Sequence, residues 1–146
     1  MVNLTYDFIQ LKIGELFKSY PELLKYDTII GLVRGGLVPA TMISHQIDTK
    51  RLYTLQLSSY DSGNRKMSMM EMQPLDVVHI VDKQIIVVDD ICDSGDTLTY
   101  FKDNYAHYTS KVFYYTIVRR DTSKFKTDYS SMVLKSDDWV KFPWEQ

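Results

Sequence analysis

Ile85-Ile86-Val87-Val88-Asp89-Asp90-Ile91-Cys92-Asp93-Ser94-Gly95-Asp96-Thr97-Leu98 carries the reading of the whole chain. Four branched apolar residues in a row match a strand buried on both faces, as in the centre of a parallel sheet. The run stops abruptly at two carboxylates, and a third acid follows three residues on. Ser94-Gly95-Asp96-Thr97 then forms a short polar turn into a helix with Leu98, Phe101 and Tyr105 at i, i+3 and i+7. Strand, acidic turn, helix is the point in an open α/β sheet where ligands bind, at the carboxyl ends of the strands.

Working outward, Ile9, Ile13, Leu16 and Phe17 predict an amphipathic first helix with Thr5 as N-cap. Thr28 to Val33 reads as a short buried strand ending in Arg34-Gly35-Gly36, and Pro39 is expected to open the helix that follows, to Gln46. Leu52 to Leu57 alternates as a strand and leads into Ser58-Ser59-Tyr60. From Asp61 to about Asp76 no period emerges, which predicts a loop, lid or binding segment. Val77 to Val81 and Lys111 to Val118 are expected strands. Repetition of strand, loop and helix gives the fold class: α/β, a Rossmann-like central parallel sheet flanked by helices.

Composition narrows the function. The 146 residues, free of repeats and low-complexity linkers, are expected to form one domain, 1–146. With 45% apolar and 13% aromatic residues the chain can build a core without staples. Seventeen basic against nineteen acidic residues leave a net charge of −2, which excludes nucleic-acid binding by charge alone. The single cysteine, Cys92, excludes an internal disulfide framework and is expected to pack under the acidic turn. His45, His79 and His107 lie too far apart in sequence to read as a ligand set. No apolar run reaches the roughly 18 residues of a membrane helix, and the first residues lack a signal-peptide pattern, so a cytoplasmic protein without integral membrane contact is expected.

Free amides and hydroxyls at a helix N-terminus suit a phosphate. Adjacent carboxylates suit sugar hydroxyls or a hard cation such as Mg²⁺. The segment therefore offers a phosphate seat beside a polyol or metal seat, the two halves of a ribose 5-phosphate. Each piece has a plainer reading. Asp93, Ser94 and Asp96 can serve as an N-cap with acids that compensate the helix dipole, worth about 0.5–2 kcal/mol. Asp89-Asp90 resembles the acidic pocket of a phospho-receiver, but there that strand opens the domain, and too little chain follows Asp90 here. Neither an EF-hand spacing nor a Gly-Lys-Ser/Thr loop is present.

Val87 to Leu98 resembles the phosphoribosyl-diphosphate (PRPP) motif of type I phosphoribosyltransferases. The resemblance implies that Asp89 and Asp90 contact the ribose hydroxyls and the metal, mainly through substrate and water, and that Asp93, Ser94, Gly95, Asp96 and Thr97 form the 5-phosphate loop. Val33-Arg34-Gly35-Gly36-Leu37-Val38-Pro39-Ala40 is similar to the family's pyrophosphate loop, with a strained peptide before glycine. Arg34, Gly35 and Gly36 take that role. Ser59 and Tyr60 are similar to the start of its mobile catalytic loop, in which Arg65 would reach the diphosphate. The ending Trp139-Val140-Lys141-Phe142-Pro143-Trp144-Glu145 looks like the short C-terminal base-binding hood of the bacterial xanthine-guanine members, which puts Trp139 on the purine face and the Val140 backbone at its exocyclic group.

Two departures stand out. Asp96 is an acid beside a phosphate loop, so its side chain is expected to point outward. Arg120 occupies the position of the lysine that donates to O6 of a 6-oxopurine, with Arg119 adjacent, and the two side chains are not interchangeable. Taken together, the resemblance implies a purine phosphoribosyltransferase (a pentosyltransferase of purine salvage) using PRPP, a purine base and Mg²⁺, with Asp93 as general base at purine N7. It also implies a homodimer or homotetramer, with Arg51 near a neighbour's site. The competing class is a non-catalytic PRPP- or nucleotide-sensing regulator on the same fold.

Overall fold

The computed structural model describes residues 1–61, 67–135 and 137–145. Six strands form one sheet in the order β4-β3-β2-β5-β6-β7: β2 (Thr28–Val33), β3 (Leu52–Asp61), β4 (Met67–Gln73), β5 (Gln84–Cys92), β6 (Lys111–Arg120) and β7 (Tyr129–Leu134). All neighbours run parallel except β3 and β4, an antiparallel hairpin at one edge. Three helices flank the sheet, α1 (Tyr6–Ser19), α2 (Leu37–Gln46) and α3 (Asp96–Asn104). The expected fold class is the one observed.

The solid apolar run of β5 explains the layering. Ile86 and Val88 project into one core with Ile9, Ile13, Leu16 and Phe17 of α1 and Ala40 and Ile43 of α2. Ile85 and Val87 project into the other, with Leu98 and Phe101 of α3. All four are fully buried, each contributing about 1.5–3 kcal/mol of apolar burial. Since β2 and β5 are adjacent, the turns that leave their carboxyl ends lie side by side.

Thr5 caps α1 as expected, its side chain accepting from the Phe8 amide at 3.1 Å. Elsewhere the boundaries differ. Helix α2 begins at Leu37, before Pro39. Proline fits the first turn because amides there have no intrahelical partner. The Val77–Val81 segment is not a strand. Asp76 accepts from the Val78 amide at 3.1 Å and starts a 3₁₀ turn, Val77–His79, that leaves Val78 exposed while Ile80 is buried. The aperiodic stretch from Asp61 holds strand β4, which extends β3 as a hairpin. Its edge position leaves Met70 and Met72 exposed, so no apolar alternation marks it. Strand β7 was not expected. Nor was a second, parallel pairing of β1 (Val2–Asn3) with β8 (Val140–Lys141), which brings the first residues to the last. No described helix is long and apolar enough to cross a membrane.

Candidate active site

At the end of β5 the two acids are tied to the backbone. Oδ1 of Asp89 accepts from the Asp90 amide at 2.8 Å, and Oδ1 of Asp90 accepts from the Ile91 amide at 2.7 Å. Burial, then the charge of Asp90, pushes the Asp89 carboxyl well above its ordinary range. Burial also pushes Asp90 up, with a smaller contribution from the Glu145 charge. A pair held this way gains from any ligand that supplies hydroxyl donors or positive charge.

The turn from β2 to α2 lies against this pair. A Cβ added to Gly35 would fall on the Asp90 carboxylate, and one added to Gly36 would collide with the Val88 and Leu32 carbonyls. Only glycine lets the two turns approach so closely. The Val33–Arg34 peptide, which lies ahead of Gly35 in this turn, is cis. Among the described residues, neither the Arg34 nor the Gly35 amide donates to a protein acceptor. Arg34, Gly35, Asp90, Trp144 and Glu145 border a cavity of about 490 Å³ with Leu37 and Val38.

Residues Asp89 to Leu98 line a second cavity of about 250 Å³ at the start of α3. Gly95 caps the helix at φ +95°, where a side chain would be strained and would also meet Phe125, at 2.6 Å from its Cβ. The N-cap Gly95 has no side chain to offer the first-turn amides of α3, of which that of Asp96 donates to Ser94 Oγ at 3.2 Å. Asp96 pairs with Lys124, Oδ1 to Nζ 2.8 Å, and that cation lowers its carboxyl pKa. The partner of this acid comes from the β6–β7 connection. Cys92 lies buried beneath the turn, its thiol beside the Ser123 hydroxyl at 3.1 Å.

The C-terminal segment is held from two directions. The Val2 amide donates to the Trp139 carbonyl at 2.7 Å, and the Leu4 amide to the Lys141 carbonyl at 2.9 Å. By strand alternation the amide and carbonyl of Val140 face away from β1. From the sheet, Arg120 Nη1 donates to the carbonyls of Lys135, at 2.8 Å, and Asp138. Trp139 presents a ring that is 69% exposed. The phosphoribosyl transferase domain model matches residues 7–146.

The chain belongs to the phosphoribosyltransferase family. It is thereby a pentosyltransferase. Among solved structures it is similar to the purine phosphoribosyltransferase of Pyrococcus horikoshii, at 27% identity and a TM-score of 0.85, covering 99% of this chain and 93% of that one. A Neisseria gonorrhoeae protein solved with bound ppGpp shares the fold at 24% identity and a TM-score of 0.86, over 99% and 89% of the two chains. The xanthine-guanine-hypoxanthine phosphoribosyltransferase of Helicobacter pylori shares it at 22% and 0.74, over 99% and 93%.

In this phosphoribosyltransferase the structure brings together Asp89, Asp90 and Asp93 to Thr97 with Arg34, Gly35 and Gly36. Arg120 joins Asp93 to the hood, its Nε lying 3.8 Å from Asp93 Oδ1. Ser59 borders a further cavity of about 350 Å³ with Leu57, Met69, Ser94, Asp96 and Thr97, so the hairpin overlies the Ser94–Thr97 turn. Ser59 and Tyr60 are strand residues paired with Met69 and Ser68, and Arg65 lies outside the described residues. Sequence reasoning missed Lys124, Glu145 and Val2. It also missed Glu71, which accepts from the Tyr105 hydroxyl and anchors the hairpin root to the end of α3. A lysine or glutamate acting across the fold leaves no local signal.

Proposed function

We propose that this phosphoribosyltransferase transfers the 5-phosphoribosyl group from PRPP to a 6-oxopurine, guanine, xanthine or hypoxanthine, giving a nucleoside 5-monophosphate and pyrophosphate. The observation that carries the reading is the close approach of Gly35 to Asp90, which sets a glycine turn with free amides against the acidic turn. The 27% identity to the Pyrococcus horikoshii purine enzyme over nearly the whole chain supports the purine.

In this reading the Ser94 and Thr97 hydroxyls and the α3 amides hold the 5-phosphate. Asp89 and Asp90 accept from the ribose hydroxyls, and the Arg34 and Gly35 amides face the diphosphate. Trp139 stacks on the base while the outward amide and carbonyl of Val140 read its edge, with Arg120 at the rim. As the bond from ribose C1 to the diphosphate breaks, positive charge develops on C1 and the ring oxygen. Purine N9 bonds to C1, and the N7 proton passes to the Asp93 carboxylate, which is 74% exposed and open to a ligand. Closure of the hairpin around Ser59 and Tyr60 keeps water from the reacting centre.

Two carboxylates offer hard oxygen donors, and no group of three or more His, Cys, Asp or Glu among the described residues is arranged to hold a metal. That donor set fits Mg²⁺ held by Asp89 and Asp90 chiefly through water and substrate phosphates, where it would neutralise charge on the departing diphosphate.

The test is product formation with PRPP and Mg²⁺ and each of guanine, xanthine, hypoxanthine and adenine in turn. Conversion of at least one 6-oxopurine, with adenine inert, is expected. PRPP binding without conversion of any base would replace the enzyme by a regulator on the same fold.

A further inference from the structure

Arg120 is nine-tenths buried at the last position of β6, and its guanidinium faces two segments that are far apart in sequence. On one side Nη1 donates to the Lys135 and Asp138 carbonyls of the segment leading into Trp139. On the other, Nε is buried and has no hydrogen-bond partner among the described residues, with Asp93 Oδ1 as its nearest carboxylate oxygen at 3.8 Å. A buried donor left unsatisfied costs about 1–3 kcal/mol, so a guanidinium serving only to staple two carbonyls would not be expected to leave Nε bare. A small rotation of the exposed Asp93 carboxylate would bring it into hydrogen-bond range.

We infer that Arg120 is a positioning residue that clamps the hood to Asp93, so that the base-stacking segment and the carboxylate are set in register when substrate enters. The inference rests on the proposed transfer to a purine, and it changes what Arg120 does there. With Nη1 committed to two carbonyls, the planar fork acts as a brace between protein segments and is not primarily a reader of the base. A lysine, with one compact cationic head, cannot span Asp93 and both carbonyls.

The test compares Arg120→Lys, Arg120→Gln, Asp93→Asn and the double variant Arg120→Gln/Asp93→Asn in the full chain. Steady-state kinetics is run with varied base and varied PRPP, and hydrogen exchange is followed in the 135–141 segment without ligand. The clamp predicts that Arg120→Gln lowers kcat/KM for the base by about 10- to 100-fold, the scale of hydrogen bonds made by a charged group, while KM for PRPP stays within about 3-fold. It predicts that Arg120→Lys does not rescue, and that adding Asp93→Asn to Arg120→Gln costs far less than Asp93→Asn alone. Exchange in 135–141 should speed up in both Arg120 variants, relative to unchanged exchange in β5. Rescue by lysine, or independent effects of the two positions, would overturn the clamp and leave Arg120 as a direct donor to the base. If the unaltered chain converts no base, the transfer reading fails by itself, and unchanged exchange in 135–141 would then decide against the clamp. Should the Gln variant not fold, the Lys variant alone carries both readouts.

Discussion

The turn after β5 and the segment at the end of the chain meet at Arg120 but are built on opposite plans. The first is local: a buried strand delivers the acids, each carboxylate binds the next amide, and Gly95 makes the corner. The second has little of its own. Val140 and Phe142 are buried, but the carbonyls of Lys135, Asp138, Trp139 and Lys141 are held by Arg120 and by the amides of Val2 and Leu4. A locally built turn is rigid before ligand arrives, whereas a segment held by remote donors can be adjusted without disturbing the sheet.

The comparison predicts that changes in the first region alter chemistry or stability, and changes in the second alter base affinity alone. The largest effect is expected for Asp93→Asn, a loss of about 10²- to 10⁴-fold in turnover with PRPP affinity nearly intact; unchanged turnover in a stopped-assay product count would remove Asp93 as the base. Gly95→Ala comes next. Its φ of +95° and the crowding against Phe125 should cost about 1–3 kcal/mol in denaturant unfolding, and a neutral result would mean that the corner is not locally fixed. In the hood, Val2→Pro deletes the donor to Trp139 and should raise KM for the base several-fold, about 1 kcal/mol, leaving KM for PRPP and the unfolding midpoint in place.

A smaller effect concerns pH. Because the native Asp89 and Asp90 carboxyls titrate above the ordinary value of 3.8, this pair holds more protons in the folded chain than in the unfolded chain from that value upward. The pair's contribution to the stability of the ligand-free protein therefore falls as pH rises through that window, while the lowered carboxyl of Asp96 contributes in the opposite direction. Asp89→Asn should flatten the fall and raise the neutral-pH melting temperature even as activity is lost; a lower melting temperature would contradict it. Lys124→Ala should be the mildest change, with stability altered by under about 1 kcal/mol because the pair with Asp96 is solvent-screened.

This contrast also explains what could be read from the sequence. The turns at Asp89–Thr97 and Arg34–Gly36 are legible because strand, acid, glycine and helix follow one another within a dozen residues. Strand β4 was hidden because an edge hairpin with exposed Met70 and Met72 need not alternate. The Val77–Val81 segment misled because three valines and an isoleucine satisfy strand propensity while the Asp76 side chain decides for a turn. The brace at Arg120, the partner of Asp96 and the strand over the hood depend on residues meeting across the sheet. No spacing encodes those meetings.

The pairing of Val2 with Val140 joins almost the most distant points of the described chain. Closing a loop of that length costs entropy that a two-residue pairing offsets with few bonds. On mild denaturation this pairing is expected to part before the sheet, giving a form in which β5 and its acidic turn persist while the segment around Trp139 has come away. Under the proposed function, such a form would bind PRPP and convert no base.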